Sequence, residues 1–131
     1  PQVTRVGVLG TIGTVNSQVY SQVLSRYGLN VIQPPEDIQS LFVSPAIYDK
    51  AYGIKSHSNP IHDRARNDLL LASKILSRKG AQAIVLGCTE IPLAITEEQL
   101  ETSIVIDATK VLAQAMVRAA NRKPVVHSLA S

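Results

Sequence analysis

The single cysteine of this 131-residue chain, Cys88, is the side chain best suited to carry chemistry. It stands after the apolar run Ala83–Leu86, with Gly87 between them, and Thr89 and Glu90 follow it. Unpaired backbone N–H groups at the exit of a strand would stabilise a thiolate, so we expect the thiol pKa to be lowered toward neutrality. Such a thiol can take up or release a proton at ambient pH. The alternative, more common for a lone cysteine, is a small buried hydrophobic residue.

A second candidate site is the segment Gly10–Ser17, here called the threonine segment, which follows the first apolar run of the chain. Thr11, Thr14 and Ser17 offer hydroxyl groups there, and the helix predicted to follow offers free backbone N–H groups suited to a carboxylate or a phosphate. The alternative is a helix N-cap with ordinary turn chemistry. The glycines of the segment match neither a Walker A loop nor a dinucleotide fingerprint, which disfavours a nucleotide site.

The elements that must position these residues alternate between strand and helix. Short apolar runs predict four strands, at 6–10, 30–32, 83–86 and 104–106. Alternation of this kind predicts a three-layer α/β/α domain with a short, mostly parallel sheet. Ligands bind outside the carboxyl ends of such strands, which points to the threonine segment, to Gly87–Glu90 and to the loop that begins at Asp107.

The predicted helices rest on apolar residues at helical spacing. One covers 15–27, and a second lies within 36–51, where Pro45 must break or kink it. A third begins at about Ile61, and Thr96 with Glu97, Glu98 and Gln99 after it resembles a capping box. The final helix carries an apolar stripe formed by Val111, Leu112, Ala115, Met116 and Ala119.

Composition excludes several classes of protein. The net charge is +3 with a pI near 9.2, but the basic residues are scattered and aromatic residues are few, which disfavours nucleic-acid binding. The apolar runs are far too short to cross a bilayer, so we expect no membrane association. The chain opens without the pattern of an export signal, and one cysteine cannot form an internal disulfide. We therefore expect a cytoplasmic protein.

Five motifs, in order along nearly the whole chain, resemble those of the aspartate/glutamate racemase family. The most specific is the heptapeptide Gly87–Leu93, which is similar to the second cysteine motif of that family. The threonine-rich loop of the family is similar to Leu9–Thr14 with Ser17 and Tyr20 after it, although the motif usually has Ala at the position of Gly10. The remaining motifs are Gly53–Lys55, which resembles the lysine segment of the aspartate-specific branch, Gly80-Ala81 and Ile106-Asp107.

This resemblance implies an amino-acid racemase that needs no cofactor and no metal. Family members have two similar α/β domains, and each domain brings one cysteine to the cleft between them. One thiolate removes the Cα proton and the other thiol returns a proton to the opposite face. Carried over by position, Cys88 is one of the two bases, while Thr11 and Thr14 lie near the substrate. Thr89 and Glu90 orient the cysteine or bind substrate, and Lys55 pairs with a carboxylate of a small dicarboxylic amino acid.

The resemblance covers only the C-terminal half of a racemase. It implies that residues 1–101 form the second domain, that the strand and helix in 102–122 return to a missing first domain, and that 123–131 is a frayed tail. The other cysteine is absent, and His57 and His62 are typical of surface positions rather than replacements for it. The chain is then a fragment, a truncated homologue, or one half that pairs with a partner, and we expect it to be inactive alone. The uncovered final helix predicts self-association.

Two alternatives to the racemase hypothesis stay open. The chain could be a non-catalytic carboxylate-binding or oligomerisation domain that keeps the scaffold and one side of the site. It could also belong with the hydantoin racemases and maleate isomerases, although the continuation of the cysteine motif and Lys55 favour the amino-acid branch. The sequence leaves the choice between aspartate, glutamate and another amino acid open.

Overall fold

A computed structural model describes residues 3–122 of the chain, so the predicted tail at 123–131 lies outside the described residues. The strands are Arg5–Leu9 (β1), Asn30–Ile32 (β2), Ala83–Leu86 (β3), Gln99–Leu100 (β4) and Ser103–Asp107 (β5). The helices are Ile12–Ser17 (α1), Val19–Ser25 (α2), Glu36–Ile38 (α3), Ser44–Tyr48 (α4), Asp63–Arg78 (α5), Ile91–Ala94 (α6) and Ala108–Arg122 (α7), and a π-helical turn, Gln39–Val43, joins α3 to α4. None of the helices within residues 3–122 has the length and apolar character needed to cross a membrane.

The strands form one five-stranded sheet in the order β2-β1-β3-β5-β4. All neighbours are parallel except β4 and β5, which form an antiparallel pair. Leu9 of β1 lies opposite Leu86 of β3, which in turn lies opposite Asp107 of β5. The carboxyl ends of these three strands are therefore level, and the segments that follow them leave the sheet at the same edge.

Helices cover both faces of the sheet, which confirms the predicted three-layer α/β/α architecture. On one face Leu9, Ile84 and Leu86 pack against the buried side of α5. On the other face Val8 and Val85 pack with residues of α2. Alternate residues of a strand point to opposite faces, so β1 and β3 contribute to both clusters, and the candidate residues stand at the end of the most deeply buried part of the molecule.

The helix predicted over 15–27 is two helices in the structure. Helix formation begins earlier, at Ile12, because Thr11 is the N-cap and its hydroxyl accepts a hydrogen bond from the Thr14 backbone N–H. Gln18 adopts a left-handed conformation, with φ of 57°, and separates α1 from α2. The break rotates α2 so that Tyr20 and Leu24 face the sheet, whereas Val19, Val23 and Tyr27, whose spacing also predicted the single helix, are exposed.

The chain stays helical from Glu36 to Tyr48, through Pro45, where the sequence predicted a break or a kink. The π-helical turn immediately precedes α4, and Pro45 occupies one of the first positions of that helix. Proline lacks a backbone N–H and is tolerated at a helix start, where that group has no intrahelical partner. The predicted break is therefore absent, and the helix changes from π-helical to α-helical just ahead of Pro45.

The predicted capping box at Thr96 is wrong, since the residues after it lead into β4 rather than into a helix. Glu97 accepts a hydrogen bond from the Thr96 backbone N–H and forms an ion pair with Arg66 of α5. Gln99, which would occupy the N3 position of a capping box, lies in β4 instead. The third predicted helix begins at Asp63, after Asn59–Ile61 have formed a turn with a cis peptide bond before Pro60.

The strand and helix in 102–122 differ in how closely they join the rest of the domain. The strand, β5, pairs along its length with β3 and is an integral part of the same sheet as residues 1–101. The helix, α7, contains no buried residue, and its apolar stripe, including Val111, Leu112 and Met116, is exposed. That α7 packs on a first domain stays a prediction.

Candidate active site

Cys88, Thr89, Glu90 and Lys55 form a cluster of four side chains at the carboxyl edge of β3, and we call it the thiol cluster. The Cys88 thiol donates to Glu90 Oε1 with a sulfur–oxygen distance of 3.3 Å. Lys55 Nζ lies 3.3 Å from the same oxygen. The Thr89 hydroxyl donates to the other oxygen, Oε2, at 2.9 Å. The structure thus brings together four of the six residues that the sequence singled out, and the Glu90 carboxylate joins them.

The protonation states in the thiol cluster differ from the sequence-based expectation. Burial raises the pKa of the Cys88 thiol, and the neighbouring Glu90 carboxylate raises it further, although the backbone N–H groups of Glu90 and Ile91 act in the opposite direction. The expected lowering of this pKa is therefore wrong for the chain by itself, since burial outweighs the strand-exit amides. Burial also acts to raise the pKa of Glu90, but hydrogen bonds from Thr89, Cys88 and Lys55, with the Lys55 charge, lower it overall.

Lys55 reaches the cluster because its backbone is tied to α4. The backbone N–H groups of Gly53, Ile54 and Lys55 donate to carbonyl oxygens of Asp49, Ala46 and Ile47, at 2.7, 2.9 and 3.0 Å respectively. A Cβ atom on Gly53 would lie 2.5 Å from the Asp49 backbone nitrogen, so only glycine fits there. Beyond this anchor the Lys55 ammonium is partly exposed and also lies 5.6 Å from the centre of the Tyr48 ring.

Cys88 is held by a close approach between two strand ends. The Gly87 N–H donates to the Leu9 carbonyl oxygen at 2.7 Å, which extends the pairing of β1 and β3 past their last residues. A Cβ atom on Gly87 would lie 3.2 Å from that oxygen and 3.2 Å from the Tyr20 ring. Because Gly87 has no side chain, the end of β3 fits between the Leu9 carbonyl oxygen and the Tyr20 ring. The next residue, Cys88, is only 8% exposed.

Thr11 and Thr14 form a separate pair at the end of β1. Their hydroxyl oxygens lie 3.1 Å apart, and both side chains are partly buried. Because β1 and β3 are adjacent and parallel, this pair leaves the sheet at the same edge as the thiol cluster. Within residues 3–122 no hydrogen bond joins this pair to the thiol cluster, so the structure brings Thr11 and Thr14 to the same edge of the sheet without linking them to the other four residues by a hydrogen bond.

Two further features near this edge were not singled out as site residues. Gln39, at the start of the π-helical turn, is 2% exposed and donates a hydrogen bond to the Gly10 carbonyl oxygen. Nothing in the apolar spacing of its segment marks it as buried. His57 and His62, beyond Lys55, stack edge to face with ring centres 4.9 Å apart and line a cavity of about 620 Å³. In the part of the chain that the structure describes, no three His, Cys, Asp or Glu side chains are grouped to hold a metal ion.

The sequence of this chain is similar to that of a known protein family. The family model described as Asp/Glu/Hydantoin racemase matches residues 2–116. The chain belongs to this family. A relative from Pectobacterium carotovorum subsp. carotovorum, the uncharacterized protein in the pnlA 3′ region, is 34% identical over 117 residues, which cover 83% of this chain and 68% of the relative. This racemase-family assignment confirms the family named by the sequence motifs.

Solved structures of racemase-family proteins have the same fold. A candidate Asp/Glu racemase from Yersinia pestis is 26% identical with a TM-score of 0.74, and the match covers 90% of this chain and 49% of that one. The aspartate racemase of Picrophilus torridus is 27% identical with a TM-score of 0.65, covering 91% and 46%. An aspartate racemase homologue from Pyrococcus horikoshii OT3, at 24% identity and a TM-score of 0.71, shares the fold over 91% and 49%. The chain thus spans about half the length of these structures.

Proposed function

We propose that this chain supplies one half of the active site of an aspartate-type amino-acid racemase that uses no cofactor. The observation that carries the proposal is the meeting of the Cys88 thiol and the Lys55 ammonium on one oxygen of Glu90, each at 3.3 Å. A proton-transfer group and a cation for a second carboxylate then lie together at the edge where ligands bind in α/β sheets. Membership of the racemase family supports this proposal.

In the proposed reaction, Cys88 serves one face of the amino acid. In one direction its thiolate takes the Cα proton, so the C–H bond breaks, an S–H bond forms, and the electron pair passes into the carboxylate as an enediolate. A thiol on the opposite face, from a first domain, then donates its proton to Cα and becomes the thiolate. In the reverse direction Cys88 is the donor, which suits the raised pKa of its thiol.

The remaining residues of the site bind and orient. The Lys55 ammonium exchanges its contact with Glu90 for the side-chain carboxylate of the substrate, because a partly exposed ammonium has further N–H donors to offer. The hydroxyls of Thr11 and Thr14 meet the α-carboxylate, where negative charge develops as the Cα proton leaves. Glu90 and Thr89 hold the thiol in place between turnovers.

The test is exchange of the Cα proton of L-aspartate for deuterium, followed by NMR and chiral chromatography. We expect no exchange with the chain alone, and exchange with racemisation once a first racemase-type domain is supplied on the same or another chain. Cys88→Ser should abolish both. Equal activity of the reconstituted Cys88→Ser variant would refute the role of Cys88, and exchange by the chain alone would refute the need for a second half.

A second candidate function is that of a carboxylate-binding or oligomerisation domain without catalysis. The exposed apolar stripe of α7 favours the oligomerisation part, because an exposed stripe of this kind is typical of a surface that associates. Such a domain would bind aspartate and form dimers or larger assemblies without deuterium exchange in any combination. Light scattering with Val111→Lys, Leu112→Glu or Met116→Lys variants tests the association. A chain that stays monomeric at high concentration would remove the oligomerisation half of this alternative.

A further inference from the structure

We propose that Gln39 is a positioning residue that fixes the threonine segment at the edge of the sheet. The contact that carries the inference is the hydrogen bond from Gln39 Nε2 to the Gly10 carbonyl oxygen, at 3.1 Å. Gly10 is the first residue after β1 and directly precedes the N-cap Thr11. Gln39 therefore fixes the backbone at the residue before Thr11, and the backbone there determines where both threonine hydroxyls lie. Its consequence for ligand affinity rests on the proposed function, whereas its effect on the segment does not.

The threonine segment has little else to hold it. Helix α1 contains no fully buried residue, so packing against the core contributes little to fixing its position. The other side-chain amide that reaches this part of the chain is that of Gln33, whose Nε2 lies 3.5 Å from the Val15 carbonyl oxygen. A bond at that distance is at the limit of a hydrogen bond. The shorter, buried contact of Gln39 is thus the main side-chain anchor that the structure gives to this segment.

The orientation of the Gln39 amide is determined by its partners. Nε2 donates to the Gly10 carbonyl oxygen and to Ser44 Oγ, at 3.1 and 3.2 Å. Reversing the amide would set its oxygen against the Gly10 carbonyl, and neither atom can donate. In this orientation Oε1 is buried and has no hydrogen-bond partner within residues 3–122. An unpaired buried oxygen is destabilising, so a gain in stability does not explain why this position carries an amide side chain.

The backbone places Gln39 where this contact is possible. The π-helical turn begins at Gln39 and ends at Val43, directly before Ser44. A π turn inserts one residue into a helix and shifts the side chains around it, and such turns recur at functional sites. Here the turn brings the Gln39 amide within hydrogen-bonding distance of the Gly10 carbonyl oxygen, while Ser44 Oγ accepts a hydrogen bond from the second N–H of the amide. Two distant segments of the chain are thereby joined at the start of the threonine segment.

The experiment compares hydrogen exchange, ligand affinity and thermal stability of Gln39→Leu with those of the unaltered chain. Leucine keeps the size of the side chain and removes both the donor and the unpaired oxygen. We expect amide exchange at Thr14 and Val15 to become faster by about tenfold, the effect of one lost hydrogen bond, with a midpoint of thermal unfolding close to that of the unaltered chain. Aspartate affinity, measured by NMR titration, should fall together with that protection.

Two further variants make the outcome decisive. Gln82→Leu is the matched control, since the Gln82 amide oxygen accepts hydrogen bonds from the Thr4 and Arg5 N–H groups at the opposite edge of the sheet. It should lower stability without changing exchange in the threonine segment. Gln39→Glu keeps the shape and should restore protection at acid pH, where the carboxyl group is protonated and can donate to the Gly10 oxygen, and lose it on ionisation.

Unchanged exchange at Thr14 and Val15 in Gln39→Leu would overturn the proposal, as would faster exchange spread equally over the whole domain. Protection of Gln39→Glu that does not depend on pH would also contradict it. If aspartate binds to neither the unaltered chain nor the reconstituted protein, the proposed function fails. The exchange measurements then still decide whether Gln39 fixes the threonine segment.

Discussion

The carboxylates of Glu90 and Glu97 each hold a cationic side chain, and they do so in different ways. Glu97 faces the Arg66 guanidinium with both of its oxygens, and Arg66 Nη1 also donates to the Ala94 carbonyl oxygen at 2.7 Å. The Arg66 hydrogen bonds lower the pKa of Glu97 to about 2. One of the Arg66 partners is a backbone carbonyl, and the pair links α5 to the chain that follows α6. It has the geometry of a structural ion pair.

The Glu90 carboxylate, in contrast, is shared among three weaker donors. It accepts from the Cys88 thiol, the Thr89 hydroxyl and the Lys55 ammonium. Lys55 is 43% exposed and meets one carboxylate oxygen among the residues described. An ammonium with unused donors at a surface can exchange this carboxylate for one from a ligand. The comparison therefore predicts that changes at the Glu97 pair affect stability and that changes at the Glu90 cluster affect binding and proton transfer.

The largest effect is expected from Gly53→Ala, which acts on the backbone beneath Lys55. The new Cβ would lie 2.5 and 2.6 Å from the Asp49 backbone nitrogen and oxygen. Because neither atom can move without disrupting the end of α4, we expect a loss of about 3 kcal/mol in the free energy of unfolding. Urea denaturation measures it. Gly13→Ala is the control, since a Cβ there meets only open space and Thr11 Oγ1 at 3.8 Å. Equal stability of the two variants would contradict the prediction.

The next effect is expected from Lys55→Met, which keeps the length of the side chain and removes its charge. Dicarboxylate affinity should fall by about tenfold, or 1.4 kcal/mol, because a charge-assisted contact is lost. The midpoint of thermal unfolding should stay unchanged, since the anchor of this residue is its backbone. Titration with succinate, followed by NMR, gives the affinity. Arg66→Met is the matched control and should reverse the pattern, with lower stability and unaltered binding. The same loss of affinity in both variants would remove the distinction between the two pairs.

A smaller effect is expected from Glu97→Gln, and it should depend on pH. The pKa of Glu97 is about 2 in the folded chain and lies near its ordinary value of 4.5 in the unfolded chain. Its stabilising contribution is therefore present above pH 4.5 and is lost as the pH falls toward 2. Since both partners are about one-third exposed, we expect at most about 1 kcal/mol at neutral pH. The free energies of unfolding of the unaltered chain and of Glu97→Gln, measured over this pH range, should become equal at the acid end. A constant difference would contradict the assignment.

The smallest change in stability is expected from Glu90→Gln, whose main effect should be on the pKa of the Cys88 thiol. The Glu90 carboxylate raises the pKa of the Cys88 thiol, so its removal should lower that pKa and extend the thiolate form to lower pH. Because the chain contains one cysteine, the ultraviolet absorbance of the thiolate reports on Cys88 alone, with Cys88→Ser as the blank. Glu97→Gln should leave this titration unchanged. A rise in the thiol pKa of Glu90→Gln would show that the carboxylate stabilises the thiolate instead.

Local patterns in the sequence predicted the framework of the fold. The apolar run Ala83–Leu86 is a strand with these same limits, and its four residues are all buried. The turn after it places Cys88 and Glu90 at the edge of the sheet because parallel strands end there together. Lys55, far away along the chain, was connected to Cys88 only by the resemblance to racemases, since no local pattern encodes that contact.

Other features depend on competition that a sequence pattern does not reveal. The left-handed conformation of Gln18 is unusual for a residue with a side chain and carries no signal comparable to a glycine. The burial of Gln39 accompanies the π-helical turn, which shifts the register of the helix and places the amide against the Gly10 carbonyl and the Ser44 hydroxyl. The raised pKa of Cys88 reflects burial set against hydrogen bonds, and which of them prevails is decided by tertiary packing.

The three backbone hydrogen bonds of Gly53–Lys55 have a consequence for how such domains can diversify. They fix the main chain at residue 55 without using its side chain, whose partly exposed ammonium lies beside Glu90. Exchange of that side chain would alter the charge presented to a ligand at little cost in folding free energy. Descendants of this domain could therefore acquire new ligand preferences at one position while the sheet and the sulfur atom keep their places.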